Sequence, residues 1–167
     1  MIVWTIITPL FFAIVSLGLW NYPRLKRLTA VVGSSVIAAF ALATLFYVQQ
    51  TGIQTLQIGN WQAPFGITLV IDLFSAIMLA ITGVIALIIS CYSQTQIDLQ
   101  RVKYGFYPLF FFLLMGVNGA FCAGDLFNLY VWFEVMLMSS FVLIALGGAR
   151  PQIEGAVKYV ILNLFSS

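Results

Sequence analysis

The sequence predicts an all-α polytopic membrane protein, a bundle of about six transmembrane helices forming a single domain over residues 1–167. Three observations carry that reading. Of 167 residues, 62% are hydrophobic and only 7% are charged, where a soluble domain carries about 25% charged residues. The apolar residues fall into five charge-poor runs near the ~20 residues that cross a bilayer core, with a sixth begun at the C-terminus. The basic residues gather in alternate connections, the pattern that orients a multispanning chain.

Helix 1 is expected at about 2–20. No basic residue precedes it, so it reads as a retained span rather than a cleaved signal peptide. The connection "NYPRLKR" holds Arg24, Lys26 and Arg27, and helix 2 follows at about 28–49. Residues 50–66 form an external loop or hairpin. Their "GIQTLQIGNWQAPFGITL" alternates apolar and polar residues around Gly59-Asn60, with Trp61 and Pro64 at the membrane interface. An irregular plug over the helix ends is the alternative.

Helix 3 is expected at about 67–92 and helix 4 at about 105–123, separated by a connection holding Arg101 and Lys103. Helix 4 carries Gly116, Ala120 and Gly124 at four-residue spacing, a stripe that lets two membrane helices approach closely. The short Gly124-Asp125 turn makes helices 4 and 5 antiparallel neighbours, and Asp125 is placed to cap helix 5, at about 127–147. Arg150 lies in the next connection. Helix 6 begins near 152 and is incomplete at 167, with about 16 residues or ~24 Å of helix. The expectation is a fragment or one part of a split protein.

Positive and non-positive connections alternate, which puts the N-terminus outside and 21–27, 93–104 and 148–152 in the cytoplasm. The bacterial plasma membrane, or a thylakoid membrane, is the expected location. Cys91 and Cys122 show no C-x-x-C spacing and the chain has no histidine. Neither a disulfide framework, a haem nor a zinc site has support, and no cofactor or metal is expected. There is no basic patch of the size that nucleic acid requires, and no ATP-binding motif.

Glu134 lies about seven residues into helix 5, ~10 Å from its outer end. A carboxylate at the bilayer centre costs roughly 2.5–3.5 kcal/mol on the insertion scale. Its own helical face offers Tyr130, Val131, Leu137, Met138 and Phe141 but no cation, so any partner comes from another helix or from water. Lys158 lies about 9 Å into helix 6, offset from Glu134 by ~11 Å along the membrane normal. The two do not form a direct salt bridge in this reading. Lys158 either joins a relay of titratable groups or snorkels to the interface. Asp72, near the outer end of helix 3, and Asn118 and Asn163 are secondary candidates. Glu154 suits the start of a helix electrostatically.

The segments "GDLFNLYVWFEVMLMSSFVLIALGG" and "IEGAVKYVILNLFSS" closely resemble the D subunit of Mrp-type multisubunit cation/proton antiporters. That protein is similar in turn to the antiporter-like membrane subunits of respiratory complex I. "IGNWQAPFGITLVIDLFSAIMLAITG" extends the resemblance upstream. The resemblance implies the N-terminal portion of a longer subunit built from inverted repeats, in which the position of Glu134 pairs with a lysine on a later helix. Lys158 would lie on the same polar axis. The implied activity is monovalent cation (Na+)/proton antiport by a proton-translocating subunit, a transporter rather than an enzyme. Other membrane subunits, protons, a monovalent cation and the lipid bilayer are its implied partners. A proton-pumping subunit of a complex I-like quinone oxidoreductase is one alternative, and a non-transporting scaffold is another.

Overall fold

The structure is a computed structural model that describes residues 2–60 and 66–166. Trp61 and Pro64, the expected interfacial pair, lie outside the described residues. The elements are helices α1 (Ile2–Gly18) and α2 (Pro23–Thr51), strands β1 (Gln54–Gln57) and β2 (Thr68–Ile71), then α3 (Leu73–Gln96), α4 (Leu99–Lys103), α5 (Phe106–Phe121), α6 (Leu126–Ala145) and α7 (Arg150–Ser166). Helix α2 packs on α3, and α1 packs on α2 and α5. Helix α5 lies between α1 and α6, and α7 packs chiefly on α6. Among the described residues, α2, α3 and α6 are long and apolar enough to cross a membrane, while α1 and α5 are shorter apolar helices. The chain is an integral membrane protein.

Helix α2 starts earlier than expected because Pro23 occupies its first turn, where the missing N–H costs nothing and the fixed φ favours the helix. Arg24, Lys26 and Arg27 therefore stand on helix rather than in a loop. Lys26 is fully buried, with Nζ donating to the Val102 carbonyl at 3.3 Å and lying 4.3 Å from the centroid of the Trp20 ring. Arg27 Nη2 donates to the Ile97 carbonyl at 2.8 Å. These cations satisfy carbonyls in the α3–α5 connection, where the short α4 was not anticipated.

The close packing of α2 on α3 comes from small residues three or four apart: Ala30, Ser34, Ala38 and Ala41 on one helix, Ala76, Ala80, Gly83, Ala86 and Ser90 on the other, all buried. A Cβ at Gly83 would stand 2.8 Å from Ala38 Cα. Ser34 and Ser90 hydroxyls bond across the seam at 2.5 Å, an interaction averaging about 0.6 kcal/mol between membrane helices.

The helix expected from 67 is divided. Thr68–Ile71 is strand, and α3 begins at Leu73. The β-branched Thr68, Val70 and Ile71 suit the pleat, pairing with β1 holds them in it, and Asp72 starts the helix by accepting the Ser75 backbone N–H at 2.7 Å. Strands β1 and β2 pair antiparallel with Gln54 opposite Ile71 and Gln57 opposite Thr68, so the loop between them runs wider than a turn at Gly59-Asn60. The hairpin is seated in the bundle. Leu69 and Ile71 are buried beside Ile2, Ile6, Val48 and Leu79, and the Val70 N–H donates to the Cys122 carbonyl at 2.8 Å.

Candidate functional site: a groove between α6 and α7

The rotation of α6 is set by two glycines on α5. A Cβ at Gly119 would overlap the Trp132 indole, and one at Gly116 would stand 2.8 Å from Met136 Cγ and 3.0 Å from its backbone N. The expected stripe of Gly116, Ala120 and Gly124 is thus replaced by Gly116 and Gly119. Gly124 lies beyond the end of α5 and meets Val70 and the Thr68 carbonyl of β2. With Trp132 and Met136 turned to α5, Glu134 stands two residues from each, roughly 200° around the helix. It faces α7.

There it lines a cavity of about 100 Å³ with Leu137, Met138 and Phe141 of α6 and Tyr159 and Asn163 of α7. The wall is mostly apolar. Its polar groups are the half-buried Glu134 carboxylate, the Asn163 amide, whose Nδ2 donates to the Tyr159 carbonyl at 2.8 Å, and the Tyr159 hydroxyl, 3.2 Å from Ser140 Oγ. Among the described residues the only ion pair is Arg150–Glu154, at 3.1 Å on the surface. Glu134 has no cation within bonding distance in that set.

The sequence-predicted candidates therefore separate. Glu134 and Asn163 share the groove, whereas Lys158 is exposed and does not line it. Asn118 faces α1, its Nδ2 donating to the Thr5 carbonyl at 2.9 Å. Asp72 caps α3, and hydrogen bonds from Ser75 hold its carboxyl below the ordinary aspartate range. Asp125 caps α6 by accepting the Asn128 N–H at 2.7 Å. Tyr159 and Ser140 escaped the sequence reading; a hydroxyl in each of two adjacent helices was the available signal, but pairing them requires the helix rotation. No cluster of three or more metal-ligating acidic, cysteine or histidine side chains occurs among the described residues. One carboxyl in an apolar groove can bind and release a proton.

Fold and groove define a class: a polytopic helical membrane protein with a lone carboxylate between two of its helices. Over 138 residues the chain is 47% identical to the D subunit of the Na+/H+ antiporter of Alkalihalophilus pseudofirmus, covering 83% of this chain and 27% of that protein. The chain belongs to the family of Na+/H+ antiporter D subunits. It spans about a third or less of the length of the curated relatives it matches. Its fold matches a chain of the membrane-bound sulfane sulfur reductase, an archaeal respiratory membrane complex, with TM-score 0.88 and 25% identity, covering 96% of this chain and 33% of that one. It matches a chain of the Mrp complex from a Dietzia species with TM-score 0.83 and 26% identity, covering 97% and 31%. No family model matches the chain.

Proposed function

We propose that the chain supplies part of a proton path in Na+/H+ antiport, with Glu134 as the group that takes up and releases the proton within a multisubunit membrane assembly. The carrying observation is the half-buried Glu134 carboxylate in an apolar groove with no cation beside it among the described residues. A charge in such surroundings is costly unless it is neutralised by a proton or by a cation brought from outside. Either event couples the carboxyl to a moving ion. A transmembrane potential adds about 2.3 kcal/mol per charge per 100 mV, enough to drive exchange without ATP.

In this proposal water in the groove carries the proton to and from Glu134, the Asn163 amide orients that water by hydrogen bonding, and the neutralising cation comes from another helix or a neighbouring protein of the assembly. The exposed side of α6, with Tyr130 and Phe133, and Lys158 on α7 face that partner or the lipid. Lys158, Asp72 and Asn118 are secondary to Glu134. The membrane is the bacterial plasma membrane, with the N-terminus outside and 21–27, 93–104 and 148–152 cytoplasmic. The likeness to a respiratory membrane complex favours one second reading, in which redox centres in partner proteins drive the same carboxyl.

The test is Glu134→Gln in the complete antiporter, reconstituted in vesicles and assayed by Na+-driven collapse of a pH gradient. Exchange is expected to fall by about tenfold or more with assembly intact, while Glu154→Gln at the surface leaves it unchanged. Wild-type exchange by an intact Glu134→Gln assembly would overturn the proposal in favour of a scaffold.

A further inference from the structure

A second cavity lies on the other side of α5, between α1, α2, α3 and α5. It measures about 10 Å³ and is lined by Thr5, Thr8, Ile37, Phe40, Leu79 and Asn118, among others. That volume is about what a single water molecule requires. The walls are apolar except for three oxygens, and the hydrogen bonds of those three groups decide what the cavity takes.

Asn118 is buried at 3% exposure, and its Nδ2 is engaged with the Thr5 carbonyl at 2.9 Å. Its Oδ1 is buried with no partner, a state that carries the full desolvation penalty of an amide oxygen. The Thr5 hydroxyl donates its hydrogen to the Ile2 carbonyl at 2.6 Å, and the Thr8 hydroxyl donates to the Trp4 carbonyl. Each hydroxyl oxygen then has only acceptor capacity left. The Cys122 thiol lies 3.5 Å from Thr5 Oγ1, which leaves Thr5 a further lone pair. Asn118 Oδ1 is therefore an acceptor without a donor, Thr8 Oγ1 has only acceptor capacity left, and Thr5 Oγ1, which accepts from the Cys122 thiol, keeps one free lone pair.

We propose that this cavity is a built site for one water molecule, which donates to Asn118 Oδ1 and to a threonine hydroxyl and joins α1 to α5. An anion finds no donor there. A cation finds no carboxylate, and the volume leaves no room for the waters it would bring to complete its shell. A water has two hydrogens to give and relieves the orphaned amide oxygen. The bridge acts on position: it fixes α1 to the helix whose opposite face seats Trp132 and Met136 on either side of Glu134.

The test uses the complete, assembled antiporter. An experimental density map at a resolution that shows ordered water is expected to contain a peak within hydrogen-bonding distance of Asn118 Oδ1 and at least one of the two threonine oxygens. A void there overturns the proposal. Thermal unfolding of Thr8→Val, Asn118→Leu and the double variant gives a second readout. With water present, the isosteric Thr8→Val lowers Tm by more in the wild-type background than once Asn118 is Leu, because in the latter the water has already gone and only the Thr8 bond to the Trp4 carbonyl is lost. In a dry cavity Thr8→Val shifts Tm by the same amount in both backgrounds, since only that bond is lost, and that result overturns the proposal. If Asn118→Leu fails to assemble, the map still decides.

Discussion

The Asp125 carboxylate binds the hairpin to α6 across a sequence gap of 57 residues, its Oδ2 accepting the Thr68 backbone N–H at 3.1 Å. Its other oxygen caps the helix at the Asn128 N–H, 2.7 Å away. The Thr68 carbonyl is held in turn by the Gly124 N–H at 2.9 Å and by Asn128 Nδ2 at 3.4 Å. One residue of β2 is thus satisfied on both its donor and its acceptor by the α5–α6 turn. The entry of α6, and with it the depth of Glu134, is fixed to the hairpin.

Asp125→Ala should lose both bonds. The cap alone is worth about 0.5–2 kcal/mol, and the Thr68 amide is left without its acceptor. Asp125→Asn keeps one good cap oxygen but turns an N–H₂ toward the Thr68 N–H, so its loss should be intermediate. Thermal unfolding of the purified assembly is expected to rank wild type above Asn above Ala, with faster hydrogen exchange at Thr68 in both variants. Equal Tm for wild type and Asp125→Asn would mean that the Thr68 bond contributes nothing.

Composition and run length made the membrane class and most of the helices legible, because burial in lipid demands apolar residues at every turn. The Asp125 cap was legible too, since capping is local. What escaped depends on rotation and contact. That Trp132 rests on Gly119, so that Glu134 turns toward Tyr159, follows from how two helices interlock rather than from spacing within either. The strand at Thr68–Ile71 was read as helix because its residues are equally apolar in both readings, and its pairing with β1 decides the matter. Lys26 and Arg27 carry a charge pattern that suggests orientation, while their carbonyl partners, Val102 and Ile97, come from a connection some 70 residues away.

Asp72 makes the stability depend on pH in a stated direction. Its carboxyl is held below the ordinary value chiefly by the Ser75 backbone N–H, so the charged form is the one the fold favours. Its contribution is therefore complete above the unfolded-state value and is lost as the pH falls through the lower folded-state value. Asn is an equally good helix cap, which makes Asp72→Asn the variant that isolates the charge. Near neutral pH the wild type should be more stable by about 0.3–1 kcal/mol, the usual worth of a charge at a helix N-terminus. That margin should close on acidification below about pH 3.9. Thermal unfolding of both proteins across this range checks it, and a margin that persists in acid would assign the effect to something other than the carboxylate.

Gly119 and Gly155 are both helical glycines, yet the structure gives them opposite tolerance. At Gly119 an added methyl group meets the flat of the Trp132 ring, which is held against the core cluster of Leu69, Ile71 and Cys122. At Gly155 nothing lies within 4 Å. Gly155→Ala should accordingly stabilise α7 by about 0.5–1 kcal/mol, since glycine is a poor residue in a helix interior. Gly119→Ala should destabilise by about 1–3 kcal/mol, the usual cost of overpacking, because α6 must move outward and carry Glu134 with it. A second substitution separates this contact from a general intolerance of α5. Trp132 Nε1 is buried without a partner, so Trp132→Phe removes an unsatisfied donor while shrinking the ring that the new methyl group strikes. The double variant Gly119→Ala/Trp132→Phe should recover much of the lost Tm, as α6 returns to its place against α5 and carries Glu134 back to the groove. Additive losses in the double variant would show that the helices do not meet at this pair.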